Sequence, residues 1–183
     1  MATRLSKIYT KTGDLGTTAL ADGARIPKTD TRIVIIGEVD HLNALFGLVR
    51  CESLEPQLEA HFNTLQHLLF DLGGELCMPA LISLKSEHIQ WLEDDIDRMN
   101  ETLPTLKDFI LPGGSPAAAQ LHVARTTTRK LECQMIEHHE QHSLRQDILI
   151  FINRLSDWLF VAARSQLKFE QQSEVLWNNP YKK

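Results

Sequence analysis

The chain has 183 residues, of which 43% are hydrophobic and 23% charged, with a formal charge of -5 and a pI near 5.9. This composition excludes a disordered polymer, and the acidity excludes binding that relies on long-range attraction to nucleic-acid phosphates, which needs a basic face. The length suits one domain, and the longest apolar runs, such as residues 33–36, are far too short to span a bilayer.

The first ten residues are polar, without the apolar centre of a signal peptide. Cys51, Cys77 and Cys133 are odd in number and lack Cys-x-x-Cys spacing, so neither a disulfide framework nor a structural zinc site is expected. A reducing, cytoplasmic setting is the expectation, with no membrane and no nucleic acid among the partners.

Residues 1–32 hold Gly13, Gly16, Gly23 and Pro27 among Thr, Lys, Asp and Arg without a helical period, and read as an irregular arm. From residue 33 the apolar positions recur at steps of three and four, the mark of a one-sided helix, and the stripe appears five times. The first carries Ile35, Val39, Leu42, Phe46 and Val49. The second carries Leu58, Phe62, Leu65, Leu69, Leu72 and Leu76 and stops at Pro79. A weaker third has Ile89, Leu92, Ile96 and Met99. After Pro112, Gly113 and Gly114 the fourth uses Leu121, Ala124, Thr128, Leu131 and Met135, with Ser115 as N-cap and Pro116 at the first helical position. The fifth uses Ile148, Ile152, Leu155, Leu159 and Ala162. Five such stripes on short polar connections predict an all-α, five-helix up-and-down bundle, and no stretch shows the alternation of a half-buried strand. The expected division is a single domain with the arm at 1–32, the bundle at 33–170 and a tail at 171–183.

On the fourth helix Arg125, Arg129 and Glu132 follow at steps of four and three, so one face gathers two guanidiniums and a carboxylate. Such a face is either solvated or a polyanion site, since the planar fork of arginine matches phosphate oxygens in pairs. On the fifth helix Asn153, Asp157, Phe160 and Arg164 form a mixed polar and aromatic stripe that suits a subunit contact, a bundle-edge network or a ligand. In the arm, Thr10, Lys11, Thr12, Gly13, Asp14, Leu15, Gly16, Thr17 and Thr18 combine hydroxyls, a lysine and two glycines, as an anion cradle or a plain surface turn would. It is not a Walker A motif, because the lysine precedes the glycines. Lys28 and Arg32 add positive charge at the start of the first helix, where the helix dipole also favours an anion. Glu38 to His41 has the Glu-x-x-His spacing of a di-iron bundle, but it is the one occurrence, and His138 with His142 reads as part of an exposed polar end; no protein-ligated metal is expected. Trp91, Trp158 and Trp177 read as packing residues.

Taken in order, Tyr9-Thr10-Lys11-Thr12-Gly13-Asp14, Val39-Asp40-His41-Leu42-Asn43, Phe109-Ile110-Leu111-Pro112-Gly113-Gly114, Ala124-Arg125-Thr126-Thr127-Thr128-Arg129 and Ile152-Asn153-Arg154-Leu155-Ser156-Asp157 resemble the PduO-type ATP:cob(I)alamin adenosyltransferases. Glu174 with Trp177 resembles that family's carboxy-terminal motif, and the resemblance covers nearly the whole chain. Two features depart from the family pattern: His41 stands where glutamate is usual, and residues 19–24 differ from the usual glycine-rich stretch.

The resemblance implies a homotrimer in which ATP, with Mg2+, and cobalamin meet between subunits. It also implies an electron-donating reductase and an acceptor enzyme for the adenosylcobalamin formed. Carried over by motif, Thr10, Lys11, Gly13, Asp14, Gly16 and Lys28 would hold phosphates, while Arg129, Glu132 and Asn153 with Arg125 would orient ATP and its magnesium. Asp40 would pair with Arg125 across the interface, and Phe109 and Phe160 would lie beneath the corrin ring and exclude the lower axial ligand of cobalt. Cob(I)alamin would then attack the 5' carbon of ATP and expel triphosphate, a step that asks the protein for alignment and charge stabilisation. The same motifs are compatible with a non-catalytic corrinoid or nucleotide carrier, whereas a ferritin-like metal oxidase would need more carboxylate and histidine ligands than the helices supply.

Overall fold

The structure, a computed structural model, describes residues 8–181; residues 1–7 of the expected arm and 182–183 of the expected tail lie outside the described residues. Five helices follow one another: α1 (Thr31–Val49), α2 (Pro56–Cys77), α3 (Ser86–Asn100), α4 (Pro116–His142) and α5 (Gln146–Phe169). Several boundaries have a local cause. The Asp30 carboxylate accepts the Arg32 amide at 2.9 Å and opens α1. Pro56 opens α2, which ends just ahead of Pro79. The Ser115 hydroxyl accepts the Ala118 amide at 3.1 Å and, with Pro116, starts α4 as the sequence predicts.

Side-chain bonds between helices fix their directions. Arg50 to Glu59 and Asn43 to Gln66 run α2 back along α1. Gln120 to Glu52 at one end, Lys130 to Glu38 in the middle and Thr31 to His138 at the other run α4 against α1. Arg154 to Glu93 and Lys168 to Thr102 show α3 and α5 parallel. The directions therefore alternate along the chain, an up-and-down bundle.

Every seam residue predicted for α1, α2, α4 and α5 is buried, as are Ile89, Leu92 and Met99 of α3. At the centre Phe62 meets Phe46 and Trp158 edge-on, with ring centroids 4.9 and 5.4 Å away. Such pairs add about 0.5–1.5 kcal/mol each beyond the area they bury. Among the described residues no helix is long and apolar enough to cross a membrane, and Cys51, Cys77 and Cys133 are free thiols.

Three features depart from the sequence reading. The arm contains an antiparallel hairpin, β1 (Thr17–Ala19) with β2 (Arg25–Pro27), in place of purely irregular chain. The connection between α3 and α4 is long, not short, occupying residues 101–115. His138 is buried at 2% exposure, not part of an exposed end, because Nδ1 of its ring lies 2.7 Å from the Thr31 hydroxyl at the start of α1; His142 remains exposed.

The long connection is held from the far end of the chain. The Leu111 amide donates to the Val175 carbonyl and the Trp177 amide to the Phe109 carbonyl, both at 2.7 Å, forming a short antiparallel bridge between residues 109–111 and 175–177. Arg164, buried in α5, fastens both partners: its Nε donates to Glu174 at 2.5 Å and one terminal nitrogen donates to the Pro104 carbonyl at 2.7 Å.

Candidate active site

The first half of the site lies in the arm. Gly16 has φ of 81°, a left-handed conformation that glycine adopts without strain, and its amide turns back to the Gly13 carbonyl at 3.2 Å. The Lys28 amide donates to the Gly16 carbonyl at 2.8 Å, so the residue after β2 closes the loop. A side chain at Gly13 would come within 3.3 Å of the Lys28 ammonium. The hydroxyls of Thr10 and Thr12 lie 2.8 Å apart, and Lys11, with φ of 61°, is exposed beside them. Thr10, Lys11, Gly13, Asp14, Gly16 and Lys28 thus share one loop, which presents two lysines and backbone N–H groups suited to an anion. Arg25, which the sequence reading does not single out, organises the loop: its guanidinium donates to the Thr12 carbonyl at 2.5 Å and the Thr17 hydroxyl at 2.6 Å.

The second half runs along α4 and α5. Arg125 and Phe160 line a cavity of about 640 Å³ together with Leu106, Lys107, Phe109 and Ile110, within the usual 300–1,000 Å³ of ligand pockets. Phe109 is 76% exposed and held at the rim by the tail, with the Trp177 ring 6.2 Å away. The Arg125 guanidinium carbon stands 5.9 Å from the Phe160 ring centroid, a cation–π arrangement. Burial and the charge of Arg129 lower the Arg125 pKa from its ordinary value; the group remains charged. Two turns along, the Asn153 amide donates to Glu132 at 2.7 Å, bridging α5 to α4, with Arg129 exposed on the same side. Seven residues of helix separate Arg125 from Glu132, a span of about 10 Å.

The stripe predicted on α5 divides. Asn153 and Phe160 face this band, Asp157 is exposed and lies 3.5 Å from Arg154, and Arg164 belongs to the clamp on Glu174. Asp40 does not meet Arg125 within the chain. It is exposed on α1 and lines a separate groove of about 360 Å³ with Asn43, Phe70, Gly73 and Gly74. Among the described residues no hydrogen bond or ion pair joins the arm loop to Arg125, Arg129, Glu132 or Asn153. The arm joins α1 beside His138, thirteen residues along α4 from Arg125 and so about 20 Å away, and one chain presents two separated half-sites.

The cobalamin adenosyltransferase family model matches residues 8–166, which include both half-sites. The chain belongs to the cobalamin adenosyltransferase family. A cobalamin adenosyltransferase of Cupriavidus metallidurans is 46% identical over 178 residues, 97% of each chain. A corrinoid adenosyltransferase of Bacillus subtilis is 42% identical, covering 86% of this chain and 85% of that protein. Among solved structures, a variant PduO-type ATP:corrinoid adenosyltransferase from Lactobacillus reuteri, in complex with cobalamin and ATP, superimposes with a TM-score of 0.89 at 40% identity, over 94% of this chain and all of that one.

One further residue of this adenosyltransferase escaped the sequence reading. His122, 3% exposed on α4, accepts the Arg125 Nε–H at its Nδ1 over 3.3 Å and lies 6.2 Å from the Phe160 ring centroid. Its spacing three residues before Arg125 is the available signal, because positions i and i+3 of a helix face each other.

Proposed function

We propose that this protein transfers the 5'-deoxyadenosyl group of ATP to cob(I)alamin, giving adenosylcobalamin and triphosphate. The observation that carries the reading is the gathering of Phe109, Phe160 and Arg125 around one cavity in a chain of this family. Two phenyl rings offer an apolar bed for a flat macrocycle and no donor for the lower face of cobalt; a corrinoid stripped of that donor accepts an electron more readily, from a reductase, to become the Co(I) nucleophile. Arg125 and Arg129 supply charge for the triphosphate that leaves as cobalt attacks the 5' carbon, and no side chain is needed as nucleophile or base. Thr10, Lys11, Gly13, Asp14, Gly16 and Lys28 hold phosphates. The hard oxygens of Glu132 and Asn153 suit the magnesium ion that accompanies ATP, whose charge would offset that of the phosphates.

The separation of the two half-sites supports a homotrimer in which the arm and Asp40 of one subunit face Arg125 of the next. The exposed Asp40, with no ion-pair partner among the described residues, and the groove beside exposed Phe70 favour the same arrangement. Each subunit then works as one domain, with residues 1–32 as the ATP-binding arm, 33–170 as the bundle and 171–183 as the tail. The setting is cytoplasmic, and an adenosylcobalamin-dependent enzyme takes the product.

Purified protein given MgATP and cob(I)alamin under strict reduction forms adenosylcobalamin, followed by its absorbance; no product ends the proposal, and tight binding without turnover would favour a carrier. Arg125→Ala lowers the rate by about 100-fold or more, the scale for loss of a preorganised charge at a leaving group, while circular dichroism reports unchanged helicity.

A further inference from the structure

The buried imidazole beside the cavity has no place in the reading above. His122 is almost fully enclosed, yet among the described residues its Nε2 has no hydrogen-bond partner. A buried polar atom left this way costs about 1–3 kcal/mol, so a histidine in this position demands an explanation that packing alone does not give. Its Nδ1 contact with the Arg125 Nε–H supplies one. Nitrogen Nδ1 can accept only while it carries no proton, which puts the hydrogen of the neutral ring on Nε2. The surroundings keep the ring neutral: burial, and after it the Arg125 charge, push the imidazole down to about 4 against a weaker opposing pull from Glu174.

We infer that His122 is a positioning residue for Arg125: its unprotonated Nδ1 takes the guanidinium Nε–H, while the Phe160 ring flanks the same guanidinium. Arginine has five N–H donors in a rigid fork. Committing Nε to His122 leaves the two terminal nitrogens as a preset pair for the cavity, and ring and imidazole together restrict the rotation of the side chain. A neutral acceptor is the group for this task, because a carboxylate would compete with phosphate for the fork and a protonated imidazole would repel it. The inference rests on the proposed transferase reading for its effect on catalysis, but not for the geometry.

The geometry is tested first, by 15N spectra of the protein without substrate. At about pH 7 His122 shows the neutral Nε2–H tautomer, and its Nδ1 resonance moves in Arg125→Lys, which retains charge but has no Nε–H. The protonated ring, the opposite tautomer or an unmoved resonance overturns the inference whatever the enzyme does. Kinetics follow on variants. His122→Leu, similar in size without an acceptor, lowers kcat by about 10- to 100-fold, the range for losing a hydrogen bond to a charged group, with little change in KM for cobalamin; His122→Asn, which retains an oxygen near the Nδ1 position, recovers most of the loss. In the Arg125→Lys background His122→Leu has no further effect, since the partner is already gone. Equal losses in the Leu and Asn variants, or losses that multiply in the double variant, overturn the inference. Should the Leu variant fail to fold, the spectra and the Asn variant in both backgrounds decide it. A parent protein that forms no adenosylcobalamin removes the transferase reading but leaves the spectra to decide the bond.

Discussion

Asp95 shows how one carboxylate ties three helices together. It stands on α3 at 5% exposure, with the Trp158 indole N–H of α5 donating at 2.7 Å, the Arg98 guanidinium at 2.6 Å, and Nδ1 of His61 of α2 2.9 Å away. Burial pushes its carboxyl up, but the bonds from His61, Trp158 and Arg98 outweigh burial and hold it at about 2. The folded value lies below that of the unfolded chain, 3.8, so acid protonates the unfolded state first. The stabilisation is complete above the unfolded value and disappears as the pH falls from about 4 to about 2, a loss of about 2 kcal/mol. Urea titrations across that window should show the slope in the parent and its flattening in Asp95→Asn, which is also less stable at neutrality; an unchanged slope would remove Asp95 from the account. Nothing near Asp95 in the chain announces this role. Its partners His61 and Trp158 are 34 and 63 positions away, and a buried polar group is recognisable only once its partners are known.

At the scale of elements, the start of α4 depends on a glycine. Gly114 has φ of 109°, and a side chain there would meet the Leu167 methyl of α5 at 2.5 Å. Gly114→Ala should lower the unfolding free energy by about 1–3 kcal/mol, the usual cost of a side chain in such backbone, measured by urea titration; no loss would mean that the turn can relax. The helices themselves were legible because a 3.6-residue period is written locally: the seams of α2 and α5 are apolar at the positions that the structure buries, and Ser115 with Pro116 marks a helix start in the chain itself. The hairpin was not legible, since three-residue strands are too short to show alternation, and its loop geometry depends on Arg25 reaching back to Thr12. The burial of His138 is not legible either, since its hydroxyl partner, Thr31, lies 107 positions away. The candidate site is legible in part: the family resemblance implies Arg125, Phe109 and Phe160, whose common cavity exists only once residues 101–115 are folded beside α4 and α5.

At the scale of the molecule, the proposed homotrimer predicts that defects on different subunits complement each other. Asp40→Ala and Arg125→Ala should each keep about a hundredth of parental activity or less alone. Dissociated and reassembled together at equal amounts, they should regain about a quarter of parental activity, the random share of interfaces that carry both native residues in a cyclic assembly. No recovery in demonstrably mixed oligomers would place Asp40 and Arg125 in unrelated roles. The short bridge between residues 109–111 and 175–177 has its own consequence, because two backbone bonds and the Arg164 clamp on Glu174 and the Pro104 carbonyl join the edge that carries Phe109 to the tail. A fastening at the surface, outside the helices, opens at lower cost than the bundle does. Were the proposed corrinoid to lie against Phe109, a loosened tail would let so broad a guest in and out, with the bundle an unmoving wall behind it.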